Sequence, residues 1–154
     1  MSLDTTLQSS LAVRTTSNPA KLQRIVVAED DEAASATIAA AMADDRYEVI
    51  VVEDDAQLFQ CLDTIACESR RGPDLITMDV CMPGRSGIEL LEAVRGRGWR
   101  TPVVLVTAFV SPDLRFRTRK AGSAAVIAKP FTADELRTAA RCARTECPLP
   151  RNDS

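Results

Sequence analysis

Short apolar runs alternate with longer amphipathic segments along most of this chain. Five runs have the length and composition of buried strands, and they cover Arg24–Ala28, Glu48–Val52, Leu75–Met78, Val103–Thr107 and Ala125–Ala128. Five segments with helical character follow them, at about Ala33–Ala43, Ala56–Glu68, Gly87–Arg97, Pro112–Ala121 and Ala133–Thr145. Five strand–helix units of this kind predict an α/β fold with an open, doubly wound parallel sheet.

The two ends of the chain lack this pattern. Residues 1–22 are rich in Ser and Thr without a sustained period, which predicts a flexible leader. The last helix has the clearest start, because Thr132 and Glu135 have the spacing of a capping box. We therefore expect one folded domain over residues 23–146, a tail over residues 147–154, and a domain that stands alone without an output domain.

Composition excludes several classes of function. The 154 residues, 45% hydrophobic and 27% charged, suit a single globular domain. A net charge of −3 argues against direct nucleic-acid binding, which depends on a basic surface. The chain contains no histidine, so Ser-His-Asp catalysis and histidine-ligated metals are excluded. Any site must be built from carboxylates, hydroxyls, lysine and backbone.

Cysteine usage and hydropathy indicate a cytoplasmic protein. The number of cysteines is odd, and none of them forms a CxxC motif. They are Cys61, Cys67, Cys81, Cys142 and Cys147. Reduced thiols that pack as small apolar residues are therefore expected. No apolar run approaches the roughly 18 residues of a membrane helix, and no secretory signal is present, so we expect no membrane association.

Acidic residues follow two of the predicted strands. Glu29, Asp30 and Asp31 follow the first strand and Asp79 follows the third, so their carboxylates converge if these strands are neighbours. Two carboxylates about 4 Å apart repel by roughly 4 kcal/mol at an effective dielectric constant of about 20, which favours a shared proton or a hard cation such as Mg²⁺. The alternative interpretation is that the acidic triplet only caps the first helix.

Thr107 and Lys129 end or follow the fourth and fifth strands. Seen singly, such residues are typical of a helix cap and of a solvated loop charge. Together they bring a hydroxyl and an ammonium to the rim that carries the carboxylates. The combined set predicts a pocket for a phosphoryl group, with Asp79 at its centre.

Four separated motifs resemble, in order, the receiver domain of two-component response regulators. They cover Ile25–Asp31, Pro73–Gly87, Thr101–Ala108 and Lys129–Phe131. The resemblance implies a flavodoxin-like (βα)5 fold with five parallel strands in the order 2-1-3-4-5. It also implies a phosphoacceptor signalling protein rather than a metabolic enzyme, one that catalyses only its own phosphorylation and dephosphorylation.

The resemblance assigns the nucleophile and a metal site. Asp79 would take a phosphoryl group from the phosphohistidine of a sensor histidine kinase or a histidine phosphotransfer protein and signal to a downstream protein by contact. Mg²⁺ would be bound by Glu29, Asp30, Asp79 and the backbone carbonyl of Cys81.

The resemblance also assigns the residues around the phosphoryl group. Thr107 would hydrogen-bond it, Ala108 belongs to the same binding site, and Lys129 would pair with its charge. Pro130 would fix the following turn through a cis peptide bond.

Three residues depart from the pattern of the family. Val126 stands where receivers usually have a switch aromatic, so we predict that phosphorylation displaces the loop and helix around Phe109–Arg119 instead of burying a ring. Cys81 and Phe109 flank the phosphoryl site and carry no acid or amide to orient water. Slow self-dephosphorylation is the corresponding hypothesis.

Basic residues on the last two helices mark a candidate partner surface. They are Arg115, Arg117, Arg119, Lys120, Arg137, Arg141 and Arg144. One interpretation is a solvated basic face, and the other is a docking or homodimer surface that meets an acidic helix.

Two other functions stay open on the sequence. A pseudo-receiver would share the fold and act as an interaction module without phosphorylation of Asp79. A Mg²⁺-dependent phosphohydrolase of small phosphate esters is disfavoured, because Cys81 stands where such aspartyl-phosphate enzymes have a second aspartate as general acid.

Overall fold

The structure is a computed structural model that describes residues 13–15, 23–43, 47–69, 72–81, 86–122 and 125–145. The strands are β1 (Val13–Thr15), β2 (Gln23–Ala28), β3 (Tyr47–Val52), β4 (Leu75–Asp79), β5 (Val103–Thr107) and β6 (Ala125–Ala128). The helices are α1 (Glu32–Met42), α2 (Asp55–Ser69), α3 (Gly87–Gly96), α4 (Pro112–Ala121) and α5 (Ala133–Thr145). The predicted strand and helix bounds all agree with these to within one residue.

The described strands form one sheet in the order β1-β3-β2-β4-β5-β6. Strands β2 to β6 pair in parallel. When these five parallel strands are numbered 1 to 5 along the chain, their order in the sheet is 2-1-3-4-5, as predicted. The predicted α/β fold class is therefore confirmed. Strand order reverses between β2 and β4, and such a reversal is where ligands bind in open parallel sheets.

The leader needs one correction, because residues Val13–Thr15 form a strand. They pair antiparallel with β3, with Val13 opposite Ile50. This pairing covers Glu48–Ile50 of β3, part of what would otherwise be an open sheet edge. A three-residue strand is too short to show an alternating pattern, so sequence periodicity missed it. The rest of the leader and the tail over residues 147–154 lie outside the described residues.

Apolar side chains bury both faces of the sheet. One layer, under α2, α3 and α4, includes the fully buried Leu58, Leu90 and Leu105. The other layer, under α1 and α5, includes Ile38 and Leu136. Each such side chain contributes about 1.5–3 kcal/mol when it leaves water. The two layers hold the carboxyl ends of the strands at one edge, where the polar residues gather.

Capping side chains fix where the helices begin. At α5, the Thr132 N–H donates to Glu135 Oε1 at 2.7 Å and the Glu135 N–H donates to Thr132 Oγ1 at 3.1 Å, which confirms the predicted capping box. Ser86 and Glu89 form the same arrangement at α3. Among the described helices, none is both long enough and apolar enough to span a bilayer.

The Cys61 thiol is expected to resist alkylation in the native protein. The side chain is fully buried, and burial raises its pKa to about 12, whereas Cys67 is exposed. Because the thiolate is the reactive form, native protein treated with iodoacetamide at pH 8 should modify Cys67 more than about tenfold faster than Cys61, as read by peptide mapping. Equal rates are expected only in denaturant, and equal rates in the native protein would contradict the buried position.

Candidate functional site

Three carboxylates meet where β2 and β4 end. These strands are direct neighbours, with Ala28 opposite Met78, so Glu29 and Asp79 emerge side by side. Carboxylate oxygens of Glu29, Asp30 and Asp79 all lie within 4.8 Å of one another. The predicted convergence of these side chains is confirmed.

Asp31 has a different position in the structure. Its carboxylate accepts a hydrogen bond from the Ala34 N–H at 3.3 Å and caps α1. The capping interpretation of the acidic triplet thus holds for Asp31 alone. Glu29, Asp30 and Asp79 form a group that we call the carboxylate cluster.

Both oxygens of Asp79 are held in place. Oδ1 accepts a hydrogen bond from the Cys81 N–H at 3.0 Å, and Oδ2 accepts one from Lys129 Nζ at 3.2 Å. The residue is buried, with 8% of its surface exposed. A carboxylate fixed in this way has a single orientation at the rim of the sheet.

Glu29 is almost completely buried, at 1% exposure. Its Oε2 accepts a hydrogen bond from the Asp31 N–H at 3.3 Å. Its Oε1 lies 3.3 Å from Lys129 Nζ but accepts no well-oriented hydrogen bond from the described residues. Burial, with the neighbouring Asp79, raises the pKa of Glu29 to about 7, although the charge of Lys129 lowers it. Near pH 7 a substantial part of the Glu29 carboxyl is therefore protonated while no cation is bound.

Lys129 lies between the two buried carboxylates, with Nζ at 3.2 Å from Asp79 and 3.3 Å from Glu29. Partial burial lowers the pKa of Lys129, but the hydrogen bond to Asp79 and the charge of Glu29 together raise it above its usual value. The following Lys129–Pro130 peptide bond is cis, as predicted. The ammonium is charged and directed into the cluster.

Thr107 lies at the same rim, but its hydroxyl is bonded to its own loop. Oγ1 accepts from the Phe109 N–H at 3.2 Å and lies 3.3 Å from the Phe109 carbonyl oxygen, to which it donates. The backbone links Thr107 to Lys129, because the Lys129 N–H donates to the Thr107 carbonyl at 2.7 Å. The position of this hydroxyl at the rim agrees with the sequence prediction, whereas its bonds to the Phe109 backbone have no signal in the sequence. Ala108 follows it, exposed.

The carboxylate cluster fits a hard divalent cation. Three carboxylates supply the oxygen ligands that Mg²⁺ prefers, and Glu29 Oε1 is a buried acceptor without a well-oriented donor among the described residues. Cys81, the remaining predicted ligand position, is exposed beside Asp79. The next residues, 82–85, lie outside the described residues.

Comparison with known proteins gives consistent matches. A sequence model of the response regulator receiver domain matches residues 25–141. Over 122 residues the chain is 31% identical to the transcriptional regulatory protein PdtaR of Mycobacterium tuberculosis, a match that covers 79% of this chain and 57% of PdtaR. Over 109 residues it is 28% identical to sporulation initiation phosphotransferase F of Bacillus subtilis, covering 65% of this chain and 88% of that protein.

A solved receiver-domain structure has the same fold as this chain. The receiver domain of the Francisella response regulator 1452 has a TM-score of 0.68 and 26% sequence identity, and the match covers 80% of this chain and 98% of that one. The chain spans little more than half the length of PdtaR, at 57%. The similarity to PdtaR therefore concerns one part of that protein.

Proposed function

Because this chain belongs to the response regulator receiver domain family, whose members are signalling proteins, we propose that Asp79 accepts a phosphoryl group from a partner's phosphohistidine. The donor is a sensor histidine kinase or a histidine phosphotransfer protein. One observation carries the proposal: a buried aspartate is held by Lys129 and the Cys81 N–H inside a cluster of three carboxylates. Output is by contact with a downstream protein. The free thiols of Cys61, Cys67 and Cys81 support action in the reducing cytoplasm.

The transfer forms one bond and breaks one. An Asp79 carboxylate oxygen attacks phosphorus, the N–P bond of the phosphohistidine breaks, and the partner's imidazole leaves as the neutral ring after it takes up a proton. Positioning and charge neutralisation supply most of the acceleration of such a step. Lys129 pairs with the negative charge of the transferred group, and the Cys81 N–H keeps Asp79 oriented.

Glu29, Asp30 and Asp79 are the side chains that would hold Mg²⁺, with the Cys81 carbonyl as a further ligand. When bound, the ion neutralises the carboxylates and the oxygens of the phosphoryl group. Thr107 would donate to the phosphoryl group. To do so its hydroxyl must leave the Phe109 backbone, which would release the loop before α4. This route of signal transmission needs no aromatic at position 126.

Incubation with acetyl phosphate and Mg²⁺ tests the proposal. Intact mass should show the gain of one phosphoryl group, and fragmentation after reduction with borohydride should map it to Asp79. Chelation of the metal with EDTA should prevent the gain. No gain with Mg²⁺ would favour the pseudo-receiver, and release of free phosphate without a stable adduct would favour the phosphohydrolase.

Magnesium is expected to stabilise the fold through the carboxylate cluster. At a Mg²⁺ concentration tenfold above Kd, the free energy of unfolding should rise by about 1.4 kcal/mol. For a domain of this size, that rise corresponds to a Tm increase of roughly 5 °C. Thermal melts with and without MgCl₂ measure this effect. Asp30→Asn should abolish the increase, whereas Glu32→Gln, which replaces an exposed carboxylate outside the cluster, should keep it. An equal increase in both variants would locate the ion elsewhere.

A further inference from the structure

An open groove of about 1050 Å³ follows the outer edge of β6. Within the described part of the chain, β6 is the last strand of the sheet on this side. Helix α4 lies over one face of the sheet and α5 over the other, so the groove has β6 as its floor and the two helices as its walls. Arg115 and Arg119 line the α4 wall, and Asp134, Glu135 and Ala139 line the α5 wall.

The floor of this groove carries unpaired backbone groups. The Lys129 N–H donates to Thr107 of β5, and backbone groups along a strand point to alternate sides. Ala125 therefore faces β5 like Lys129, and Val126 and Ala128 direct their N–H and C=O groups into the groove. Among the described residues, no backbone group bonds to these outward N–H and C=O groups. Such a row is a template for a further strand.

The α4 wall is strongly basic. Exposed cationic side chains on this helix are Arg115, Arg117, Arg119 and Lys120, against a single acid, Asp113. Neither Arg115 nor Arg119 pairs with a carboxylate among the described residues. The α5 wall differs, because Ala139 and Cys142 lie there beside Asp134 and Glu135, and the ring of Phe131 lines the groove just before this helix begins.

We infer that this groove binds an extended segment of a partner protein, which adds to the sheet as a strand beside β6 and has acidic residues at alternate positions. Successive side chains of a strand point to opposite faces of the sheet. One set would meet Arg115 and Arg119, and the other set would meet the apolar part of the α5 wall. A segment that alternates acidic and apolar residues fits both walls at once.

An extended partner suits the floor better than a helical one. The backbone groups of a helix are already bonded within the helix, so they leave the outward groups of Val126 and Ala128 without partners. An extended chain supplies donors and acceptors at the spacing of a strand. The inference does not depend on phosphorylation of Asp79, because the groove is formed in the unmodified protein.

Peptide binding to the full, unphosphorylated chain tests this inference. The probe is fluorescein-labelled Glu-Val-Glu-Val-Glu-Val amide, followed by fluorescence anisotropy. Two further peptides are N-methylated at the three valines or at the three glutamates. Strand addition predicts that one methylated peptide binds like the parent and the other at least tenfold more weakly, since only one set of N–H groups faces β6. A peptide with lysine in place of glutamate should also bind at least tenfold more weakly.

Variants of α4 provide the matched control on the protein side. The double substitution Arg115→Glu and Arg119→Glu should weaken binding of the parent peptide at least tenfold. The double substitution Arg117→Glu and Lys120→Glu makes the same change in charge on the same helix outside the groove lining, and it should change binding less than twofold. Hydrogen exchange should show new protection at the Val126 and Ala128 amides. Absence of binding at millimolar peptide, equal binding of both methylated peptides, or an equal effect of the Arg117→Glu and Lys120→Glu double variant would each overturn the inference.

Discussion

Asp79→Asn is expected to abolish phosphorylation by acetyl phosphate, with less than about one hundredth of the wild-type rate remaining. The amide has no anionic oxygen to attack phosphorus, so the nucleophile itself is lost. The geometry should survive. Asn Oδ1 accepts from the Cys81 N–H as Asp79 does at 3.0 Å, and Lys129 keeps its contact with Glu29 at 3.3 Å. Intact mass after incubation with Mg²⁺ measures the loss.

Glu53→Gln is the matched control for this experiment. Glu53 is an exposed carboxylate directly after β3, at the same edge of the sheet, and it lies outside the carboxylate cluster. This variant should be phosphorylated at the wild-type rate, and both variants should keep the circular dichroism of the native fold. Continued labelling of Asp79→Asn would mean that Glu29 or Asp30 is the acceptor.

Much of the fold follows from local signals in the sequence. Strands such as Val103–Thr107 are uninterrupted apolar runs, as expected for parallel strands buried on both faces. The start of α5 follows from the Thr132 and Glu135 side chains. Strand β1 does not follow, because three residues carry no period and its partners lie far along the chain, with Val13 opposite Ile50 and Thr15 opposite Glu48.

The positions of some side chains in the candidate site follow from the sequence, whereas those of others do not. The convergence of Glu29 and Asp79 follows from strand order alone, because both directly end or follow neighbouring strands. The separate position of Asp31 does not, since three adjacent carboxylates look alike in a sequence and only the backbone turn decides which one caps α1. The Thr107 hydroxyl is similar, because its bonds to Phe109 depend on the path of a loop.

Val126 has a fixed, buried position in the structure. This side chain is buried, at 8% exposure, in the layer that includes Leu105. Position 126 therefore carries no aromatic ring that could move between an exposed and a buried position on phosphorylation. Phe109 and Phe116 are instead the exposed large apolar residues among those described. Displacement of the loop from Thr107 to α4 would move Phe109 first, which links the phosphoryl site to the α4 wall of the groove.

The aspartyl phosphate is expected to decay slowly, with a half-life of minutes or longer. In the hydrolysis, a water oxygen attacks phosphorus, the bond between phosphorus and Asp79 breaks, and the carboxylate leaves while the water proton passes to the released phosphate or to solvent. A side chain that orients this water is what accelerates the step. The flanking positions provide none, because Cys81 has a weakly hydrogen-bonding thiol and Phe109, at 76% exposure, has an apolar ring.

Phe109→Gln should shorten the phosphoryl lifetime, by a factor on the order of tenfold to hundredfold, because an amide at this position can orient the attacking water. In the unmodified protein the Phe109 N–H lies 3.2 Å from Thr107 Oγ1, so position 109 is adjacent to the hydroxyl that would bind the phosphoryl group. Phe116→Gln makes the same replacement at an exposed ring on α4, 63% exposed, and should leave the lifetime unchanged. Phosphorylated protein, freed of acetyl phosphate by rapid desalting and followed by intact mass, gives the decay. A wild-type half-life of seconds, or equal acceleration by both substitutions, would show that water is oriented by a group other than the side chain at position 109.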